Sequence, residues 1–135
     1  MVNFDPRTIS SPVYDALKNL REATKDQTKL KEQKNQAIEL YTYLATWGLM
    51  RLKAEEKALD KEGQKLKGKL EVVKKYFKCL EDISSQQNLA GNNGLETIKN
   101  LSADNYLGLT GLGLQIAQEF AFWANAIYHD VTGDT

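Results

Sequence analysis

The residues able to do chemistry are few and widely spaced. His129 is the only histidine and stands beside Asp130, a pair that performs general base work when the carboxylate orients the imidazole. It also closes an apolar helical stretch, where a histidine cation suits the helix dipole for structural reasons, and this structural role is the expected one. Glu119 is the one acid between Tyr106 and Tyr128. A carboxylate-bridged metal centre in a bundle needs several inward acids and Glu-x-x-His pairs from facing helices. The chain contains no such pair, so Glu119 is expected at a helix edge or paired across an interface. Cys79 is the only cysteine, which excludes an internal disulfide and a cysteine zinc cluster and fits a reducing cytoplasm. Lys75 and Lys78 are near enough to lower its pKa, yet its place beside an apolar stripe predicts a small buried hydrophobe. The GLTGLG run at 108–113 has no strand before it, and no G-x-x-x-x-G-K-[ST] loop occurs; helix packing through Gly108, Gly111 and Gly113 is expected instead. Catalytic residues, metal ligands and cofactors are therefore all expected to be absent, and the chain reads as a non-enzyme.

Charge is more informative. The 18 basic and 18 acidic residues balance, but every Lys and Arg lies at or before Lys99, and only Asp104, Glu119, His129, Asp130 and Asp134 follow residue 100. A local basic face on a neutral protein matters more to an anionic partner than the total does. Lys61, Lys65, Lys67, Lys69, Lys74, Lys75 and Lys78 stand against only Glu62 and Glu71, an excess of five positive charges. On a helix, Lys67, Lys74 and Lys78 fall on one flank of the apolar stripe with Lys75 beside them, and Lys61, Lys65 and Lys69 on the other. Lysines without a base-reading arrangement suit phosphate contacts, which position a nucleic acid without reading its sequence. Arg51 and Lys53 extend this candidate set, as do Lys29, Lys31 and Lys34. A solvated face that keeps the protein soluble is the competing reading, and both stay open.

The elements that must position these residues are helices. The N-terminal stretch 1–10 reads as an extended arm, with Ser11 and Pro12 as N-cap and first-turn proline and Val13, Ala16, Leu17 and Leu20 on one face. From Lys29, a stripe of Leu30, Ala37, Ile38, Tyr41, Leu44, Ala45, Gly48, Leu49 and Leu52 marks a second helix. Gly48 within it points either to a break or close crossing or to a tolerated glycine. A turn at Asp60–Gly63 precedes a third helix carrying Leu66, Leu70, Val73, Phe77, Leu80 and Ile83. The stretch 84–94 is turn-forming, a short helix holds Leu95, Ile98 and Leu101, and Ser102 is the predicted cap of the last helix, with Asp104 in its first turn. That last helix is apolar nearly all round, which predicts burial. Thr110, Gln115, Gln118, Glu119 and Asn125 interrupt it, so no membrane span is expected. No stretch alternates in strand fashion. The expected architecture is an all-α, single-domain bundle over 1–135, four to five helices packed antiparallel around the last long one, with residues 130–135 fraying.

The C-terminal third carries a resemblance. GLETIKNLSADNYLGLTGLGLQIAQEFAFWANAIY is similar to the closing segment of the small all-helical subunit of the type III-B CRISPR effector, the Cmr complex. The shared features are Ser102-Ala103-Asp104, Tyr106-Leu107-Gly108-Leu109-Thr110, and the run from Ala117 through Trp123, Ala124 and Ile127. Trp47-Gly48-Leu49-Met50-Arg51-Leu52-Lys53 resembles a second family segment. The resemblance implies a non-catalytic subunit in antiviral defence that stacks with copies of itself along the complex, beside the other effector subunits. It would support guide RNA and target RNA through basic surfaces. It transfers no site residues, so the lysine set rests on charge and helix geometry alone. The alternative class is a helical protein-interaction module that binds no nucleic acid and uses Tyr41, Tyr43, Trp47 and Trp123.

Overall fold

The computed structural model describes residues 5–63 and 65–131. Among them the chain forms six helices: α1 (Arg7–Glu22), α2 (Gln27–Trp47), α3 (Leu49–Lys61), α4 (Lys67–Ser84), α5 (Gly94–Lys99) and α6 (Ala103–Ile127). The architecture is an all-helical bundle over one contiguous hydrophobic core, with one helix more than the expected four to five because the second predicted helix is two.

Gly48 makes that division. Its backbone sits at φ 88° and ψ 173°, where a side chain is strained, and an added Cβ would stand 3.1 Å from the Tyr106 hydroxyl. The same hydroxyl receives the Met50 amide at 3.4 Å, a donor the start of α3 otherwise leaves free. Local signals hold elsewhere too. The Asp26 carboxylate caps α2 by accepting the Thr28 and Lys29 amides. Ser102 Oγ accepts the Asn105 amide at 3.2 Å, as predicted for the cap of α6. The stretch expected as a loop over 84–94 connects α4 and α5 through 85–93, with Ser84 closing α4 and Gly94 opening α5.

Both ends of the chain correct the sequence reading. The extended arm expected over 1–10 fails at 6–10, since α1 begins at Arg7 and holds Pro12 in its interior. Asp5 replaces Ser11 as the capping group: its carboxylate accepts the Arg7 amide and its carbonyl the Thr8 amide. The early start brings Ile9 onto the buried stripe of Val13, Leu17 and Leu20, and this burial offsets the one intrahelical bond that Pro12 cannot donate. Residues 1–4 of that arm lie outside the described residues. The frayed tail expected over 130–135 fails at its first two positions. Arg21 holds the Asp130 carboxylate through both guanidinium branches, Val131 is buried, and the Val131 carbonyl accepts Lys34 Nζ at 2.8 Å; residues 132–135 lie outside the described residues.

Two helices share the centre of the bundle: α6, which packs on α1, α2 and α4, and α4 itself. α4 packs against α1, α2, α3 and α6 and buries Leu70, Val72, Val73, Tyr76, Phe77, Cys79 and Leu80. Tyr76 donates its hydroxyl to the Gly113 carbonyl at 2.8 Å and meets Phe77 and Phe120 edge-on at 5.3 and 5.6 Å, within the favourable range for aromatic pairs. Burial of α6 is one-sided: Leu109, Gly113, Ile116, Ala117, Phe120 and Ala124 face the core, while Leu107 and Phe122 are exposed. Nor are its neighbours all antiparallel. The Tyr128 hydroxyl meets Gln33 near the start of α2 and Tyr106 meets Met50 just beyond the end of α2, so α2 runs against α6. Ser10 pairs with Glu119 and Arg21 with Asp130, so α1 runs alongside it. On α2 the core-facing stripe is rotated from the predicted one. Leu40, Gln33 and Gln36 are buried in place of Ile38 and Tyr41. Gln33 tolerates this because its amide donates to Thr24 Oγ1 and Glu71 and accepts from Tyr128, so neither polar atom of its own side chain is left unsatisfied.

Candidate nucleic-acid interface

Because α4 is enclosed on three sides, only a narrow outward stripe remains, opposite Tyr76. Lys67, Lys74, Lys75 and Lys78 lie on it, as helical spacing predicts, with Lys74 and Lys78 exposed and Lys67 and Lys75 half-buried. The stripe spans about 16 Å between Lys67 and Lys78 at 1.5 Å per residue. Glu71 and Asp82 interleave with it, and Glu81 borders it. Lys78 is already engaged, 3.1 Å from Asp82 and 3.5 Å from Glu81; its hydrogen bond to Asp82 and the charges of both acids raise its pKa. Of the four, Lys78 alone forms an ion pair among the described residues.

The other predicted cations do not join them. Lys61 and Lys65 are exposed at the α3–α4 turn. Lys69 turns the opposite way, into a cleft lined by Gln36, Glu39, Tyr43, Glu55, Leu59 and Leu66. Arg51 is exposed and lies over the Trp47 ring at 4.4 Å, a cation–π contact that leaves both side chains at the surface.

Lys53 is a correction. It is 3 % exposed, pairs with Glu56 at 2.9 Å, and rests over the Phe77 ring at 4.6 Å, so it reaches no external phosphate. Sequence gave no sign of this, because the floor of its pocket comes from α4 and α5. Gly94 admits it: a Cβ there would overlap Lys53 Cε and the Leu89 carbonyl oxygen. Removing one partner of a buried pair leaves an uncompensated charge, at a cost of about 3–5 kcal/mol, whereas an apolar replacement of similar volume is often tolerated. Glu56→Ala is therefore expected to lower the denaturant midpoint far more than Lys53→Met combined with Glu56→Leu. Urea titrations followed by circular dichroism compare the two directly.

The groups considered for catalysis have structural partners. Glu119 accepts the Ser10 hydroxyl and the Trp123 indole N–H, tying α1 to the edge of α6. Asp130, the neighbour of His129, is held by Arg21, whose guanidinium draws that carboxyl down to about 2. Burial pushes the Cys79 thiol up to about 12, with Asp82 adding to the effect and Lys75 opposing it. A thiol of that kind is almost wholly protonated at pH 8 and is not a nucleophile. Folded protein is expected to react with a disulfide reagent at least tenfold more slowly than urea-unfolded protein, as read by thiolate release. Among the described residues, no group of three or more His, Cys, Asp or Glu is placed to hold a metal ion, and no helix is long and apolar enough to cross a membrane.

The sequence reading missed one depression, between α1 and the end of α6, lined by Tyr14, Lys18, Arg21, Glu22, His129 and Asp130. Its central ion pair joins residues 109 positions apart, and nothing local in either segment announces it. No protein-family model, no curated protein and no solved structure matches the chain.

Proposed function

We propose that this chain is a non-catalytic, cytoplasmic small subunit of an RNA-guided effector complex, supporting guide RNA and target RNA through the outward face of α4 beside other subunits. The observation that carries the reading is the Lys67–Lys74–Lys75 stripe; the resemblance of residues 94–128 to the small Cmr subunit supplies the class of assembly. Three point charges without bidentate donors favour a weak grip that is indifferent to sequence.

The test is binding of labelled single-stranded RNA, followed by anisotropy across a salt series. Each phosphate contact on a single strand contributes a slope of about −0.7 in log affinity against log salt, so three contacts predict a slope near −2 and about a 20-fold loss over a fourfold rise in salt. A flat salt dependence, or no binding at low salt, overturns the reading. A second reading, a helical interaction module without nucleic acid, is favoured by the exposed Leu107 and Phe122 on α6. Co-purification of a protein partner without RNA from the native cells would support it.

A further inference from the structure

Among the described residues, nothing covers the outer face of α6. Leu107 is 68 % and Phe122 61 % exposed, the most open of the large hydrophobic residues among those described. Between them, Gly108 and Gly111 face open space: a Cβ at either would meet nothing within 4 Å. Glycine in a helix interior is unfavourable, and here no internal packing compensates it. Exposed apolar side chains flanking bare backbone form a surface for another helix.

We propose that this face pairs with the same face of a second copy of the chain, the two α6 helices lying antiparallel about a two-fold axis that passes between Leu114 and Gln115. Charge argues for self-pairing. α6 contains no Lys or Arg, and its only acids are Asp104 and Glu119; Glu119 is engaged by Ser10 and Trp123. The face thus has no cation to offer an acidic partner or a nucleic acid and only one terminal carboxylate for a basic one.

Register argues for it as well. Asp104, Leu107, Gly111, Leu114, Gln118, Phe122 and Asn125 follow one another at three- and four-residue steps, the spacing of a helix–helix seam. Antiparallel pairing about the stated axis sets Leu107 against Phe122 at both ends. Gly111 lies against Gln118, so a bare backbone meets a long side chain, and Leu114 lies against Gln115. Asp104 meets the Asn125 amide rather than another carboxylate. Every contact is thereby reciprocal, as a two-fold interface requires.

The seam runs about 30 Å at 1.5 Å per residue. One helix face lies at the small end of interface sizes, the range of weak and reversible association. Pairing of this kind is closed, so stacking along a complex would use other faces. It also leaves the α4 lysines free, because α6 packs on the Tyr76 side of α4 and the lysine stripe lies opposite. The inference therefore goes beyond the RNA reading and does not depend on it.

Sedimentation velocity over a hundredfold concentration range is expected to show the mass rising from one chain to two. Leu107→Asp and Phe122→Asp should each hold the protein at one chain with unchanged helical circular dichroism. Under mild oxidation, a mixture of Leu107→Cys and Phe122→Cys proteins should cross-link between the two variants faster than within either one. A wild-type protein that stays monomeric throughout, including one that binds a different protein through this face, overturns the pairing. Faster cross-linking of Leu107→Cys to itself overturns the antiparallel register. The aspartate variants should keep the wild-type salt slope for RNA, so failure of the pairing and failure of the RNA reading are read out separately.

Discussion

Replacing Lys67, Lys74 and Lys75 together with Glu is expected to abolish measurable RNA binding at physiological salt and to flatten the salt dependence seen at low salt. The change removes three cations and places three carboxylates beside Glu71 and Asp82 on the same stripe. An RNA strand then meets repulsion where it met three phosphate contacts, and both the affinity and its salt slope of about −2 vanish together. Helical content should hold; exposed Lys74 is a site where substitution stays within about 0.5 kcal/mol, and half-buried Lys67 and Lys75 account for any further fall in the denaturant midpoint. Lys78→Glu alone is a useful contrast, because Lys78 already spends its charge on Asp82 and Glu81 and should cost less affinity than Lys74→Glu. Anisotropy titrations at two salt concentrations separate these cases. Wild-type affinity in the triple variant, with the fold intact, would move the interface away from α4.

Phe77→Ala is expected, with Glu56→Ala, to be among the most destabilising single changes. Its ring is fully buried, meets Tyr76 edge-on and underlies the Lys53 ammonium. Truncation of a buried phenylalanine costs about 3–5 kcal/mol, against about 5–15 kcal/mol for the whole stability of a domain. In urea, where small proteins lose about 1–3 kcal/mol per molar, the midpoint should fall by about 2 M. Phe77→Leu, which keeps most of the volume but not the aromatic face, should cost less. A midpoint unchanged by the alanine variant would contradict the central position of α4.

Much of this architecture was legible because its signals are local. The Ser102 cap, the 85–93 connection, and the Leu70, Val73, Phe77 and Leu80 stripe each depend on residues within a few positions of one another. Gly48 announced a possible break; the Tyr106 hydroxyl beside it, contributed from 58 residues downstream, was beyond local reasoning. Three errors share one cause. Lys53 was placed at the surface, Val131 in a fraying tail, and α6 inside the core, and in each case tertiary contacts decide the outcome. Lysine is usually exposed, so only the combination of Glu56, Phe77 and Gly94 shows why this one is not. The lysine stripe itself was legible from spacing, but its acidic neighbours weaken it: Glu81 and Asp82, just past Lys78 in the chain, claim its charge. Glu81 is held by more than charge, because the Leu89 and Ala90 amides donate to its carboxylate and lower its pKa.

The Lys53 pocket has a consequence for how the protein breathes. α5 packs principally on α3, and the Lys53 side chain lies between Phe77 below and Gly94 above. Opening α5 would wet that ammonium and its Glu56 partner together, and the pair would then lose much of what holds it in a dry site. The 85–99 segment and α3 should therefore exchange their amide hydrogens as one cooperative unit, at a lower free energy than α4. Such a unit would let one end of the bundle reshape on contact with a partner while the helix that bears the lysines stays rigid.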